Sequence, residues 1–253
     1  MADLASNQAL AGHRIVVTGA ARGLGEAFAR AALAAGARVV VTDVLAERGH
    51  AAAQAMGDKA HFVTMDVASR ASVQAGMHEA VQWLGGLDGV VNNAAITNSG
   101  GKLMADISED MWDAVMAVNV KGPWLVAQAA HAALKSSGRG RIVNLSSDTA
   151  LWGAPKLMAY IASKGAVAAM TRGMARELGA DLITVNAIAP GLVLSESTEY
   201  VPQARHDMYA AGRAIVRAQL PQDVTAAVVF LLSEASGFIT GQVLPVNGGF
   251  VMH

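Results

Sequence analysis

The chain has 253 residues, of which 19 are Lys or Arg and 20 are Asp or Glu, so charged types make up 15% and the formal net charge is −1. A nearly neutral chain with no basic run offers little to hold a phosphate backbone, so nucleic acid is excluded as an expected partner. Cysteine is absent, which removes disulfide frameworks, thiolate nucleophiles and Cys-ligated zinc.

In chain order, seven short runs rich in β-branched residues read as strands: Arg14 to Thr18, Arg38 to Thr42, Ala60 to Met65, Leu87 to Val91, Arg141 to Leu145, Ile183 to Ile188 and Gln242 to Val246. Several are apolar almost throughout, as in strands of a parallel sheet covered on both faces. Alanine-rich stretches with helical ends lie between them. One runs from Leu24 to Ala35 and stops at Gly36, a second from near Ser69 to Gly85-Gly86, a third begins after Pro123, and a late one begins at Pro221. Regular strand-helix succession predicts a doubly wound α/β sheet with right-handed crossovers. No linker or repeat divides the chain, so one domain is expected over 1–253. The least regular stretch, Pro190 to Leu220, has the length of a lid over a site. No apolar run approaches the roughly 18 residues a bilayer span requires, and the opening residues lack a signal-peptide pattern. The expectation is a cytoplasmic protein with no membrane partner.

After the first strand comes Thr18-Gly19-Ala20-Ala21-Arg22-Gly23-Leu24-Gly25, leading directly into a helical pattern. Glycines at such a turn let the backbone approach a diphosphate, and the helix N-terminus supplies free N–H groups and partial positive charge. Asp43 follows the second strand. A carboxylate there accepts from ribose hydroxyls and repels a 2′-phosphate, which favours NAD over NADP. Arg22 is the contrary signal, since a guanidinium in the turn is able to pair with that phosphate.

Tyr160-Ile161-Ala162-Ser163-Lys164 sets a phenol and an ammonium four residues apart, on one face of a predicted helix. For a phenol to act as a base near neutral pH, its pKa must drop by about three units, or ~4 kcal/mol. A cation ~6 Å away at an effective dielectric of ~20 supplies about 3 kcal/mol of that. Ser147, thirteen residues upstream and just past a strand, is placed to hold a substrate oxygen. The seven histidines show no metal-ligand spacing, and no Gly-x-Ser-x-Gly elbow occurs.

Together these residues resemble the short-chain dehydrogenase/reductase family from about Leu10 to the C-terminus. Further matching positions are Asp66-Val67, Asn92-Asn93-Ala94-Ala95, Asn119 in Val118-Asn119-Val120-Lys121-Gly122, and Pro190-Gly191. The resemblance implies Tyr160 as general acid/base, Lys164 as the residue that lowers its pKa and binds the nicotinamide ribose, and Ser147 as the group orienting the substrate oxygen. Asn119 would hold a water in the proton relay. Asp66 and Val67 would flank the adenine, Asn92 and Ala94 would support the adenosine side, and Val193 and Ser195 would meet the nicotinamide carboxamide. Strand order 3-2-1-4-5-6-7 and a homotetramer are also implied. Leu24, Ala95 and Ser195 replace the more usual Ile, Gly and Thr, and none of these changes removes a catalytic group.

The resulting expectation is an NAD-dependent oxidoreductase that interconverts a secondary alcohol and a ketone. Its pocket would be lined by Ile96, Ser147, Leu151, Trp152, Tyr160 and the lid from Leu192, and it would suit a hydrophobic or alicyclic substrate. An NADPH-dependent ketone or 3-oxoacyl-thioester reductase, and a dinucleotide-binding regulatory protein without turnover, stand as alternatives. Arg205 and Arg213 lie in the lid stretch, where they are candidates to meet an anion.

Overall fold

The computed structural model describes residues 8–252. Seven strands form one parallel sheet: β1 (Arg14–Thr18), β2 (Arg38–Asp43), β3 (Ala60–Thr64), β4 (Gly89–Asn92), β5 (Arg141–Leu145), β6 (Thr184–Pro190) and β7 (Val243–Val246). Their order is β3-β2-β1-β4-β5-β6-β7, the doubly wound Rossmann arrangement expected. Strand ends differ from the sequence reading by one to two residues, because the strands stop where pairing with a neighbour stops. Leu87 and Asp88, for instance, precede β4 rather than belong to it.

The helices are α1 (Gly23–Ala34), α2 (Ala46–Met56), α3 (Arg70–Leu84), α4 (Glu109–Met116), α5 (Gly122–Ser137), α6 (Thr149–Trp152), α7 (Met158–Leu178), α8 (Gln203–Gly212) and α9 (Gln222–Leu232). Local chemistry sets several of their ends. Ser69 accepts from the Ser72 amide and starts α3, while Gly85 in the left-handed region ends it. Pro123 occupies the first turn of α5, where a missing N–H costs nothing. Helix α2 is missing from the helices expected from sequence, since its mostly Ala and polar residues give it little apolar period. Helix α8 lies inside the stretch Pro190 to Leu220 that was expected to be irregular, so that segment carries a helix of its own.

Alternate residues of each central strand face opposite sides. Ile15 and Val17 of β1, with Val39, Val41, Val91 and Val143, pack under Phe28 and Ala29 of α1 and Val224 and Val228 of α9. Val16, Val40, Val90 and Ile142 face the other side, under Val73 and Met77 of α3 and Leu125 and Val126 of α5. Both faces are therefore dry, which explains the nearly continuous apolar strand runs.

At the N-terminal end of the sheet, Asp88 is fully buried between two guanidiniums. Its Oδ2 accepts from Arg14 Nε at 2.8 Å, and its Oδ1 accepts from Arg14 Nη2 at 2.9 Å and Arg139 Nε at 3.0 Å. Burial alone would raise the carboxyl, but the hydrogen bonds and charges of Arg14 and Arg139 outweigh it and hold the group at about 2. With an unfolded value near 3.9, this carboxylate stabilises the fold above about pH 4 and loses that contribution as pH falls toward 2. Asp88→Asn is expected to lower stability by about 3 kcal/mol at neutral pH, as breaking one partner of a buried ion pair does. Urea unfolding at pH 7 checks this, and the gap between parent and variant should narrow below about pH 4.

Candidate active site

The sheet reverses its winding between β1 and β4, and their C-terminal ends flank a cleft at that switch point. Thr18 ends β1, and its Oγ1 accepts from the amides of Asn93 and Ala94, each at 3.1 Å. The Asn93 side chain returns the contact, with Nδ2 donating to the carbonyls of Thr18 at 2.9 Å and Gly19 at 2.8 Å. Gly19 has φ +62°, and a Cβ there would sit 2.6 Å from Ala94 Cα, so only glycine fits. A Cβ on Gly25 would run into the Gly19 carbonyl. Helix α1 opens at Arg22 without a side-chain cap, which leaves the first-turn N–H groups of Gly23, Leu24 and Gly25 directed at the cleft.

Asp43 closes β2 beside this turn. Its Oδ2 accepts from the Ala21 amide and its Oδ1 from the Leu45 amide, both at 3.1 Å. Arg22 does not point into the cleft alone: Glu196 of the lid receives both Arg22 Nη1 at 3.0 Å and Arg48 Nη1 of α2 at 2.6 Å. Those two guanidiniums hold the Glu196 carboxyl below its ordinary value. Asp66 is exposed past β3, where its Oδ1 accepts from the Ala68 amide. Val67 is buried and packs on Gly122, so it faces the core as much as the cleft.

Asn92 at the end of β4 donates to Asn144 Oδ1 of β5 at 2.8 Å, and Asn144 donates to Thr171 Oγ1 of α7 at 2.9 Å. This buried chain sets the position of α7, which carries Tyr160, Ser163 and Lys164. Asn119 lies in a π-helical turn, Ala117–Lys121, between α4 and α5, the kind of distortion that recurs at functional sites. Its amide clamps both the N–H and C=O of Ile96, at 2.7 and 3.1 Å, and reaches Ser163 Oγ at 3.1 Å. Both amide protons of Asn119 are therefore engaged with protein, and its Oδ1 keeps one lone pair.

Lys164 is buried. Its Nζ donates to the Leu145 carbonyl at 2.7 Å and lies 5.5 Å from the centre of the Tyr160 ring. Burial lowers the Lys164 ammonium to about 8. Burial also pushes the Tyr160 phenol above its ordinary value, only partly opposed by its hydrogen bond with Ser147. Desolvation, which the expected Coulomb attraction leaves out, acts against both charged forms. Ser147 Oγ accepts from Thr149 Oγ1 at 2.8 Å, whereas neighbouring Ser146 donates to the Lys164 carbonyl at 3.0 Å and points away.

The lid stretch leaves β6 at Pro190 and Gly191. A Cβ on Gly191 would lie 2.9 Å from Gln219 Oε1 and 3.1 Å from Asp148 Oδ2. Val193 is buried and pairs with Gln219 as an isolated bridge. The Ser195 amide donates to Thr198 Oγ1 at 3.0 Å. Leu192 lends its carbonyl to Arg213 Nη2 at 2.6 Å. Arg213 is itself buried, which withdraws it as a ligand for a free anion. Arg205 lies over the Trp152 ring at 5.3 Å. Leu151 is exposed at the rim, and Trp152 packs edge-on against Tyr209 and Phe250. Tyr209, Phe250 and Asp148 were not singled out from sequence. The first two lie 41 residues apart in the chain, and no local pattern joins them. Among the described residues, no group of His, Asp and Glu is arranged to hold a metal ion.

A dinucleotide-type cleft with Ser, Tyr and Lys gathered at one end of a doubly wound sheet defines a class. The chain belongs to the short-chain dehydrogenase/reductase family. Residues 19–251 match the sequence profile described as enoyl-(acyl carrier protein) reductase. A 3-alpha-(or 20-beta)-hydroxysteroid dehydrogenase of Mycobacterium tuberculosis is 39% identical, over 96% of this chain and 90% of that protein. The 2-(S)-hydroxypropyl-CoM dehydrogenase 3 of Xanthobacter autotrophicus is 39% identical, over 93% and 95% respectively. A 3-oxoacyl-(acyl-carrier-protein) reductase of Aquifex aeolicus is 34% identical over 95% and 98%. These relatives make the chain an oxidoreductase by descent.

Asn93→Ala removes two donor contacts that join the glycine turn to β4, leaving the Thr18 and Gly19 carbonyls without them. A loss of about 1–3 kcal/mol is expected, checked as a fall of a few degrees in Tm by calorimetry.

Proposed function

We propose that the protein is an NAD-dependent oxidoreductase interconverting a secondary alcohol and a ketone. The observation that carries this reading is the convergence of Ser147, Tyr160 and Lys164 on the cleft whose far side bears the glycine turn and Asp43. The donor set fits a nicotinamide dinucleotide. The uncapped start of α1, from Gly23 to Gly25, suits a diphosphate. Each Asp43 oxygen accepts one backbone N–H and keeps a lone pair for a ribose hydroxyl. In this reading Gly19, Ala94, Asp66, Val67, Asn92, Pro190, Gly191, Val193 and Ser195 complete the dinucleotide site.

When bound, the nicotinamide supplies the acceptor or donor of hydride. In alcohol oxidation Tyr160 takes the hydroxyl proton while Ser147, itself receiving the Thr149 hydroxyl, holds the substrate oxygen. Lys164, fastened to the Leu145 carbonyl, keeps a cation below the phenol and offers its remaining protons to a ribose. With the phenol raised by burial, the neutral acid is the resting form, suited to donate a proton in ketone reduction. The opposite direction needs added positive charge nearby, and a cationic oxidised nicotinamide brings it. The Asn119 side chain bonds Ile96 and Ser163 and keeps one Oδ1 lone pair with which to hold a relay water.

Asp43 is the support for NAD. Arg22, the contrary signal, is held by the Glu196 carboxylate, which it shares with Arg48. The wall formed by Leu151, Trp152, Tyr209 and Phe250 supports a hydrophobic or alicyclic substrate, and one relative is named as a hydroxysteroid dehydrogenase. Phe238, Trp112, Trp124 and Leu244 are exposed, which supports burial against further copies of the chain in a homotetramer. A cytoplasmic location belongs to the same reading.

Tyr160→Phe keeps the ring and removes the proton carrier, so turnover of the best alcohol in a panel with NAD should fall by about 10²–10⁴-fold with Tm unchanged. Absorbance at 340 nm reads it, and a variant with full turnover overturns the reading. Glu196→Gln frees Arg22 and Arg48 for a 2′-phosphate. NADPH affinity is expected to rise about tenfold, or 1.4 kcal/mol, with NADH affinity nearly constant, measured by nucleotide fluorescence titration. A parent that already prefers NADPH would favour the thioester- or ketone-reductase alternative instead.

A further inference from the structure

The residue after Ser147 is a fully buried carboxylate, Asp148. Its Oδ1 accepts from Tyr209 Oη at 2.7 Å, and its Oδ2 has no hydrogen-bond partner. Tyr209 projects from lid helix α8, is itself buried, and stacks on Phe250 with ring centres 4.2 Å apart. Asp148 also begins α6, the single turn that carries Trp152. Elsewhere in the lid segment the contacts of Tyr200 Oη with the Thr97 carbonyl, Arg205 Nη2 with the Pro155 carbonyl, and Glu196 with Arg22 and Arg48 are at the surface, while Gln219 near its C-terminal end is buried and donates to the Val246 carbonyl. Exposed contacts of that kind are individually weak. From α8 itself, the Arg205 contact is exposed and the Asp148–Tyr209 bond is buried.

We propose that Asp148 is a positioning residue that couples the lid to the catalytic loop, seating α8 through Tyr209 so that closure over the substrate and placement of Ser147 are one event. The proposal rests on the oxidoreductase reading for its kinetic consequence but not for its structural one. The groups facing Asp148 are Tyr209 of α8, Arg213 just past its end, Asn247 after β7, the Thr149 amide, and Tyr160 of α7, which feels its charge. Burial pushes the Asp148 carboxyl up to about 6, against the opposing pull of the Tyr209 hydrogen bond and the Arg213 charge. Lifting α8 would let water reach the carboxylate and return it toward ~3.9. The closed lid therefore binds a proton more tightly than the open one, so closure strengthens as pH falls through about 6 and loosens above it.

Hydrogen–deuterium exchange of the α8 amides, corrected for intrinsic chemistry and run at about pH 5 and about pH 8 on either side of this titration, tests the coupling without requiring turnover. The parent should protect α8 more at the lower pH. Asp148→Asn, neutral at both, should show high protection with no pH dependence. Tyr209→Phe, which keeps the stack on Phe250, should lose protection about tenfold. In the same variant the KM of the best alcohol in a panel of cyclohexanol, 2-octanol and 1-phenylethanol should rise about tenfold while NADH affinity stays within twofold. A Tyr209→Phe lid as protected as the parent's, or an Asp148→Asn lid that keeps the parent's pH dependence, overturns the proposal. A parent inactive on every alcohol overturns the oxidoreductase reading instead, and the exchange data then decide the coupling alone.

Discussion

Thr18 Oγ1 receiving the amides of Asn93 and Ala94, and Asn93 answering with its side-chain amide, join the ends of β1 and β4 where the sheet changes its direction of winding. Helices leave these strands to opposite faces, so a gap must open between their ends. The stitch keeps the gap narrow enough to be a cleft. The glycine turn, the Ile96 loop and the start of α1 all take their positions from that junction. A hydroxyl and an amide are suited to it, because each satisfies buried backbone groups that no strand partner reaches.

From the junction, order propagates through polar chains rather than through apolar packing alone. Asn92, Asn144 and Thr171 carry the register of β4 and β5 into α7, and Asn119 ties the Ile96 loop to Ser163 one residue before Lys164. Such chains are directional, so they hold side chains to a hydrogen-bond length where a greasy contact would let them slide. The two apolar clusters on either side of the sheet supply the driving force, and the polar chains supply the aim.

The electrostatics of the site are a compromise set by burial. Both Tyr160 and Lys164 are held in their less charged direction, Lys164 only to about 8. A site in this condition is poised for a ligand that brings its own positive charge. Asp148 follows the same logic on the lid side, where a carboxylate carried into a dry place is tolerated because Tyr209 and Arg213 face it. Asp88, at the opposite end of the sheet, has enough partners that its charge is favoured outright. The two buried carboxylates thus differ in sign of shift because their donors differ in number and charge.

Read from sequence alone, the strand-helix succession of a doubly wound sheet, the glycine turn, Asp43 and the Tyr160–Lys164 spacing were all accessible, while the strand order came only from the family resemblance. Each depends on local conformation or on spacing within one element: a β-branched run, a tight turn into a helix, two residues one helical turn apart. Strand and helix ends came out close because Ser69, Gly85 and Pro123 act within a few residues of themselves. What the chain hides is any contact between distant segments. The capture of Arg22 by Glu196, the engagement of Asn119 with Ile96, the withdrawal of Arg213 into the lid, and the meeting of Asp148 with Tyr209 and Phe250 required folding to bring those residues together. The cost of burying Tyr160 and Lys164 was hidden for the same reason. Desolvation depends on everything that surrounds a group, and only the tertiary structure decides what surrounds it.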